Sequence, residues 1–175
     1  MCGRLAFFEP QALKDRYDVR EIPLIKPEYN FRPGMDGPVV LKQSPKRIKL
    51  MNWGLDLNFK FKLINVRLES SVSKKNRCLI PANGFFEWEK IKGRPPYYFY
   101  SQKESIISLA GVFNNNTYAI ITTAAREPVL AVHPRMPLII PKEAEDAWLK
   151  KGEVTVYPAG HLVKKHPGEI NLPGW

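Results

Sequence analysis

The sequence predicts a single β-rich α+β domain, and three observations carry that expectation. Short runs of strand-forming residues recur along the chain, separated by Pro, Gly and Asn punctuation. Only three stretches, all short, read as helical. Finally, 175 residues with 44% apolar content suffice for one core but not for two comfortable ones, and no repeat or composition break divides residues 1–175.

In chain order, residues 5–8 form an apolar strand directly behind Met1-Cys2-Gly3-Arg4. Residues 9–17 read as a helix, with Pro10 tolerated in its first turn and Phe8, Leu13 and Tyr17 on one face. Pro23, Pro27, Pro33, Gly34 and Gly37 make residues 21–37 loop-like. Residues 38–43 and 46–53 are strands joined by Ser44-Pro45, with Ile48 and Leu50 alternating against Lys49, Met51 and Trp53. A strand over 59–67 ends in Asn65-Val66-Arg67, and 70–76 is a polar, basic link. Within 77–90, Asn83-Gly84 signals a turn. Beyond it Glu87 shares a strand face with Phe85 and Glu89, opposite Phe86 and Trp88. Residues 92–96 turn into a strand at 97–100, and 105–113 pairs with 117–123 around Asn114-Asn115-Asn116. A short helix is expected over 124–132, followed by the proline-restricted His133-Pro134-Arg135-Met136-Pro137. A strand at 138–140, an amphipathic helix at 142–150 capped near Gly152 and a strand at 154–157 complete the regular elements.

The charge narrows the class of function. Twenty-seven Lys and Arg against 17 Asp and Glu give a formal net charge of +10, which favours a polyanionic partner, nucleic acid above all, over a merely soluble surface. The basic residues are dispersed, so folding has to gather them. Cys2 and Cys78 offer neither a disulfide framework nor paired metal-ligand spacing, so no metal and no cofactor is expected. No apolar run approaches the ~20 residues of a membrane span, and no secretory segment is apparent. An intracellular monomer without membrane association is the expectation.

Cys2 is the chemically distinctive residue. Aminopeptidases generally remove Met before a small side chain, which would leave an α-amine and a thiol on one residue. The amine, with a reference pKa of about 7.7–8.0 against about 10.4 for lysine, is far more often free near neutrality. Amines form imines with carbonyl carbon, and the adjacent sulfur can close on the imine to give a five-membered thiazolidine. The alternative is a small buried apolar residue. Glu87 likewise reads either as an acid–base group or as a solvated strand carboxylate, and His133 as functional or as a surface turn residue.

Taken together, Met1-Cys2-Gly3-Arg4, Trp53-Gly54-Leu55, Asn65-Val66-Arg67-Leu68-Glu69, the run from Cys78 through Asn83-Gly84-Phe85-Phe86-Glu87-Trp88, Thr122-Thr123-Ala124-Ala125 and His133-Pro134-Arg135-Met136-Pro137 are distinctive in their order. The chain resembles the SOS response-associated peptidase (SRAP) family, whose members shield abasic sites in single-stranded DNA by covalent attachment. The resemblance implies a compact α+β domain of mostly antiparallel strands in a barrel-like core, flanked by a few short helices and carrying a positively charged DNA channel. It implies Cys2 as covalent nucleophile, Asn65 as a positioning hydrogen-bond partner, Glu87 as acid or base, and His133 as a second proton-transfer or sugar-binding group. Arg4, Arg67 and Arg135 fall where the family contacts phosphates, and Trp53 where an apolar wall meets the nucleic acid. Lyase and autoproteolytic peptidase activities are further expectations, as is a nucleoid-associated location in a prokaryotic source. The rival readings are a noncovalent single-strand-binding module using Trp53, Phe85 and Phe86 for stacking, and a conventional peptidase pairing Cys2 or Cys78 with His133.

Overall fold

Successive apolar residues in the long strands face two different cores, and this double burial organises the chain. The computed structural model describes residues 2–43, 45–58, 61–70, 76–89, 93 and 95–175. Its elements are β1 (Leu5–Phe7), a 3-10 turn (Pro10–Ala12) running into α1 (Leu13–Tyr17), β2 (Glu28–Phe31), β3 (Asp36–Leu41), β4 (Arg47–Trp53), β5 (Asn65–Arg67), β6 (Arg77–Ala82) and β7 (Gly84–Glu87). They continue with β8 (Tyr97–Ser101), β9 (Ile107–Asn114), β10 (Thr117–Ala124), β11 (Arg135–Pro137), β12 (Ile139–Ile140), α2 (Glu145–Lys151) and β13 (Leu162–Lys165). No described helix is long and apolar enough to cross a membrane.

One antiparallel sheet has the order β13-β8-β7-β1-β2. The larger sheet runs β11-β10-β4-β3-β6-β9-β12, with β5 also on β10. Because β9 pairs with β10 as well, strands β4, β3, β6, β9 and β10 close on themselves, antiparallel throughout except for β4 with β10. The α+β class, the mainly antiparallel pairing and the partly ring-like core therefore match the sequence-based expectation.

Alternation along each strand divides the interior. Val39, Met51, Trp53, Cys78, Ile80, Leu109, Tyr118 and Ile120 pack with Cys2, Leu5 and Phe85 from the smaller sheet. Their neighbours Val40, Ile48, Leu79, Ala110, Ala119 and Ile121 pack on Leu13, Tyr17, Trp148 and Leu149. The helices α1 and α2 cover that second core, and Gly152, at φ 76°, ends α2 as its sequence position suggests.

Several elements differ from expectation. Asn83-Gly84 is no hairpin turn: β6 belongs to the large sheet and β7 to the small one, so the chain changes sheets there. Buried Asn83 holds the corner, its Oδ1 accepting from the Phe8 amide at 2.7 Å and its Nδ2 donating to the Ser105 carbonyl at 2.8 Å. A Cβ at Gly84 would collide with the Phe99 carbonyl oxygen and the Tyr98 ring, so glycine is what lets β7 lie against β8. Residues 124–132 form successive tight turns rather than a helix: the Val129 and Leu130 amides both donate to Arg126 O, and Val132 and His133 to Val129 O. Pro128 explains this, since the residue before a proline avoids helical geometry and proline has no N–H to donate. The loop 21–37 contains β2, which pairs with β1.

Of the strand expected over 59–67, only Asn65–Arg67 is extended, with Leu55 bridging Leu63 ahead of it. Residues 59 and 60 lie outside the described residues, as do Ser44, 71–75 of the basic link and residues 92 and 94 of the 92–96 turn. The strand expected at 154–157 is absent, and Val154 and Val156 are exposed. The edge position is taken by β13, whose lysines suit an edge strand.

Candidate active site

Cys2 enters the interior because β1 pairs with β7 on one edge and β2 on the other, drawing the start of the chain between the sheets. It is fully enclosed, and its thiol points to the Arg4 carbonyl oxygen at 3.8 Å. The Asn65 Nδ2 donates to the Cys2 carbonyl oxygen at 2.8 Å. β5 presents that amide from the far sheet through its parallel pairing with β10, Asn65 opposite Ile120. The Asn65 Oδ1 is buried and has no hydrogen-bond partner among the described residues.

Glu87 ends β7 on the face of Phe85, as strand alternation predicts, while Phe86 packs with Ala6 and Tyr98 in a separate cluster. The carboxylate is 2% exposed. Burial pushes its pKa up to about 7. Burial first, and the charge of Glu87 second, push the Cys2 thiol well above its ordinary range. The sheet switch at Asn83 is thus what brings a carboxyl group to the N-terminal strand. Cys78 is fully buried too, and burial raises its thiol pKa.

His133 stands in the turn ahead of β11, half-buried, with Nδ1 2.9 Å from the Arg135 carbonyl oxygen and 3.1 Å from the Arg135 amide. β10 gathers this corner: it carries β5, with Thr122 opposite Arg67, and β11, with Ala124 opposite Arg135. Arg67 is exposed. Arg135 is not a free cation: Glu69 receives both guanidinium arms at 3.0 and 3.2 Å, and the Thr122 carbonyl oxygen accepts at 2.6 Å. The arginine holds the Glu69 carboxyl below its usual pKa.

Arg4 donates to Asn30 Oδ1 and lies over the Trp88 and Trp175 rings. Trp53 corrects an expectation. It is 0% exposed, stacked between Phe31 and Tyr118 and tied by Nε1 to the Ile64 carbonyl oxygen at 2.8 Å. An enclosed indole offers no wall to nucleic acid; it belongs instead to the core that also takes in Cys2. Phe85 and Phe86 are equally enclosed, which removes the stacking surfaces of the noncovalent reading.

Sequence reasoning missed Asn30, Glu69, Tyr118 and Trp175. Tyr118 is fully buried, its hydroxyl has no partner among the described residues, and burial, then the two cysteines, raise its pKa. Among the described residues no three His, Cys, Asp or Glu side chains are grouped as metal ligands would be.

The geometry has counterparts. The family model for SOS response associated peptidase (SRAP) matches residues 1–172. The chain is 27% identical to the abasic site processing protein YoaM of Bacillus subtilis, over 85% of this chain and 79% of that one. It is 28% identical to the abasic site processing protein HMCES of Gallus gallus, over 94% and 70% of the respective chains. Among solved structures, a Bacteroides thetaiotaomicron protein superposes with a TM-score of 0.79 at 20% identity, covering 94% of this chain and 91% of that one. A phage-related protein of Bordetella bronchiseptica gives 0.75 at 21%, covering 94% and 93%. These two likenesses concern the fold.

Proposed function

Because this chain belongs to the SOS response associated peptidase family, we propose that it processes abasic sites in DNA, capturing them covalently through Cys2 once Met1 has been removed. The observation that carries the reading is the meeting of buried Cys2, just ahead of β1, with the half-buried Asn65 of β5 and the buried Glu87 of β7. While Met1 remains, the Cys2 nitrogen is an amide and cannot form an imine.

The substrate is a ring-opened deoxyribose bearing an aldehyde in single-stranded DNA, where duplex packing does not crowd the sugar. The Cys2 amine adds to the aldehyde carbon, and the carbinolamine loses water to give an imine. The sulfur then bonds to the imine carbon, its proton passing to nitrogen, and the thiazolidine closes. Glu87, poised near neutrality by burial, donates a proton to the ring oxygen during opening and accepts one from the amine later. Asn65 holds the Cys2 carbonyl by its Nδ2, which leaves Oδ1 to accept from the amine or from a sugar hydroxyl. His133 stands as a second proton-transfer or sugar-binding group. Arg4, Arg67 and Arg135 contact phosphates. An imine that escapes sulfur eliminates at the β-position and cleaves the strand, so lyase activity accompanies capture.

The raised thiol pKa of Cys2 supports this order of events over a conventional cysteine peptidase, whose thiol has to ionise readily. A neutral thiol is adequate for closing a ring already begun by the amine. The test is denaturing electrophoresis after mixing Met1-free protein with abasic and intact single strands. A heat-stable adduct specific to the abasic strand is expected. Cys2→Ser should lose it yet still yield an imine that borohydride traps. A heat-stable abasic adduct in Cys2→Ala would overturn the proposal.

A further inference from the structure

Next to Glu87, chain segments remote in sequence bring aromatic and cationic groups together, and the chemistry above gives Trp175 no part. Trp175 stacks on Phe86 with ring centroids 4.1 Å apart and planes 20° from parallel. Its Nε1 donates to the Tyr29 carbonyl oxygen at 3.0 Å. These contacts fix the indole, yet Trp175 remains 36% exposed, whereas Trp53 and Trp148 are enclosed. Arg4 lies 5.7 Å from the Trp88 ring centre and 5.8 Å from that of Trp175.

The guanidinium of Arg4 is short of an anion. Its Nη1 donates to the neutral Asn30 amide oxygen, and its enclosed Nε has no partner among the described residues. Burial, then the like charge of Arg32, lower its pKa, so an arriving phosphate would relieve this corner electrostatically. The contrast is with Arg135, whose arms already hold a carboxylate. The corner also adjoins the reaction centre: the Phe86 amide donates to the Arg4 carbonyl oxygen at 3.0 Å, one residue before Glu87.

The geometry points to a nucleotide subsite in which Trp175 stacks the base adjoining the abasic nucleotide and Arg4 takes the phosphate between them. This rests on the reading above that the substrate is single-stranded DNA. A base beside an abasic position has lost its stacking neighbour on one side, and an indole backed by Phe86 supplies a flat replacement. Stacking of this kind tolerates any base, as a damage-directed site requires.

The experiment uses Met1-free full-length protein and single strands carrying 5-bromouracil on either side of an abasic site, irradiated and mapped by mass spectrometry, with intact strands alongside. Trp175 should carry the label from one of the two positions. Trp175→Leu keeps apolar cover on Phe86 but no stacking face, and it should weaken binding to abasic and intact strands by about 5-fold or more. Trp175→Phe, which keeps a stacking face, should recover most of that loss. Absence of label on Trp175 in a wild-type chain that still forms the abasic adduct would overturn the subsite alone. Label on Trp175 without any abasic adduct would uphold the subsite and overturn the covalent chemistry.

Discussion

Glu87 and Glu145 are each 2% exposed, yet the protein surrounds the two carboxylates differently. Glu145 lies 2.6 Å from Arg16 Nη2 and accepts from Ser108 Oγ at 2.5 Å. Ser108 is bonded in turn to the Tyr17 hydroxyl at 2.7 Å, and Arg16 also reaches Glu104 at 3.3 Å. This network ties α1, β9 and α2 together. Glu87 sits where burial dominates: its pKa rises to about 7, and its charge is felt by the Cys2 thiol. The lesson is that burial alone does not distinguish scaffold from chemistry. The Glu145 carboxylate is engaged by a guanidinium and a hydroxyl that tie three elements together, whereas burial is the largest influence on Glu87 and brings it near neutrality, where it can exchange a proton.

The comparison breaks most visibly at Glu87. Glu87→Gln should slow adduct formation by about 10²- to 10⁴-fold in single-turnover kinetics while leaving strand affinity and thermal stability intact. A wild-type rate in that variant would make its perturbed pKa incidental. The mirror experiment is Arg16→Met, which strands Glu145 without its guanidinium and should cost about 3–5 kcal/mol. In calorimetry that is a fall of about 10 °C in Tm. The adduct rate of the folded fraction in the cold should be unchanged; a large loss of rate there would merge the two clusters into one functional unit.

The pH profile sharpens the distinction further. Capture needs the amine free, above about 7.7–8.0, and Glu87 protonated, below about 7. The rate should therefore be flat between those values and fall about tenfold per pH unit on either side. Glu87→Gln should lose the alkaline limb and keep the acid one. A profile identical to wild type would assign the alkaline limb to another group.

The smallest effects belong to the arginines. Exposed Arg67 replaced by Ala should weaken intact and abasic strands alike and reduce the salt slope by about 1. Glu69→Gln releases the arms of Arg135 and should tighten binding, by less than about fivefold because Glu69 is exposed to solvent. Weaker binding in Glu69→Gln would instead mean that the carboxylate positions Arg135 for its phosphate.

Much of the β-rich fold and part of the candidate site were legible in the sequence. Strand alternation placed Glu87 with Phe85 and away from Phe86, and the motif order named Cys2 and Asn65. What stayed hidden depends on contacts between distant segments. Asn83-Gly84 has the same turn chemistry whether the chain reverses or changes sheets, and only the Phe8 and Ser105 partners decide for the corner. Leu162-Val163-Lys164-Lys165 is too short a pattern to reveal an edge strand without β8 beside it. The burial of Trp53 follows from Phe31 and Tyr118, and the Glu69–Arg135 pair from β5 and β11 meeting on β10.

The most direct measurement is the state of Cys2 in the isolated adduct, read by digestion, iodoacetamide treatment and mass spectrometry of the N-terminal peptide. The account predicts that the sugar remnant sits on Cys2 with neither amine nor thiol left reactive, because both belong to the ring. A remnant on Cys2 whose thiol still takes up iodoacetamide, or a remnant on a lysine or on Cys78, would contradict it.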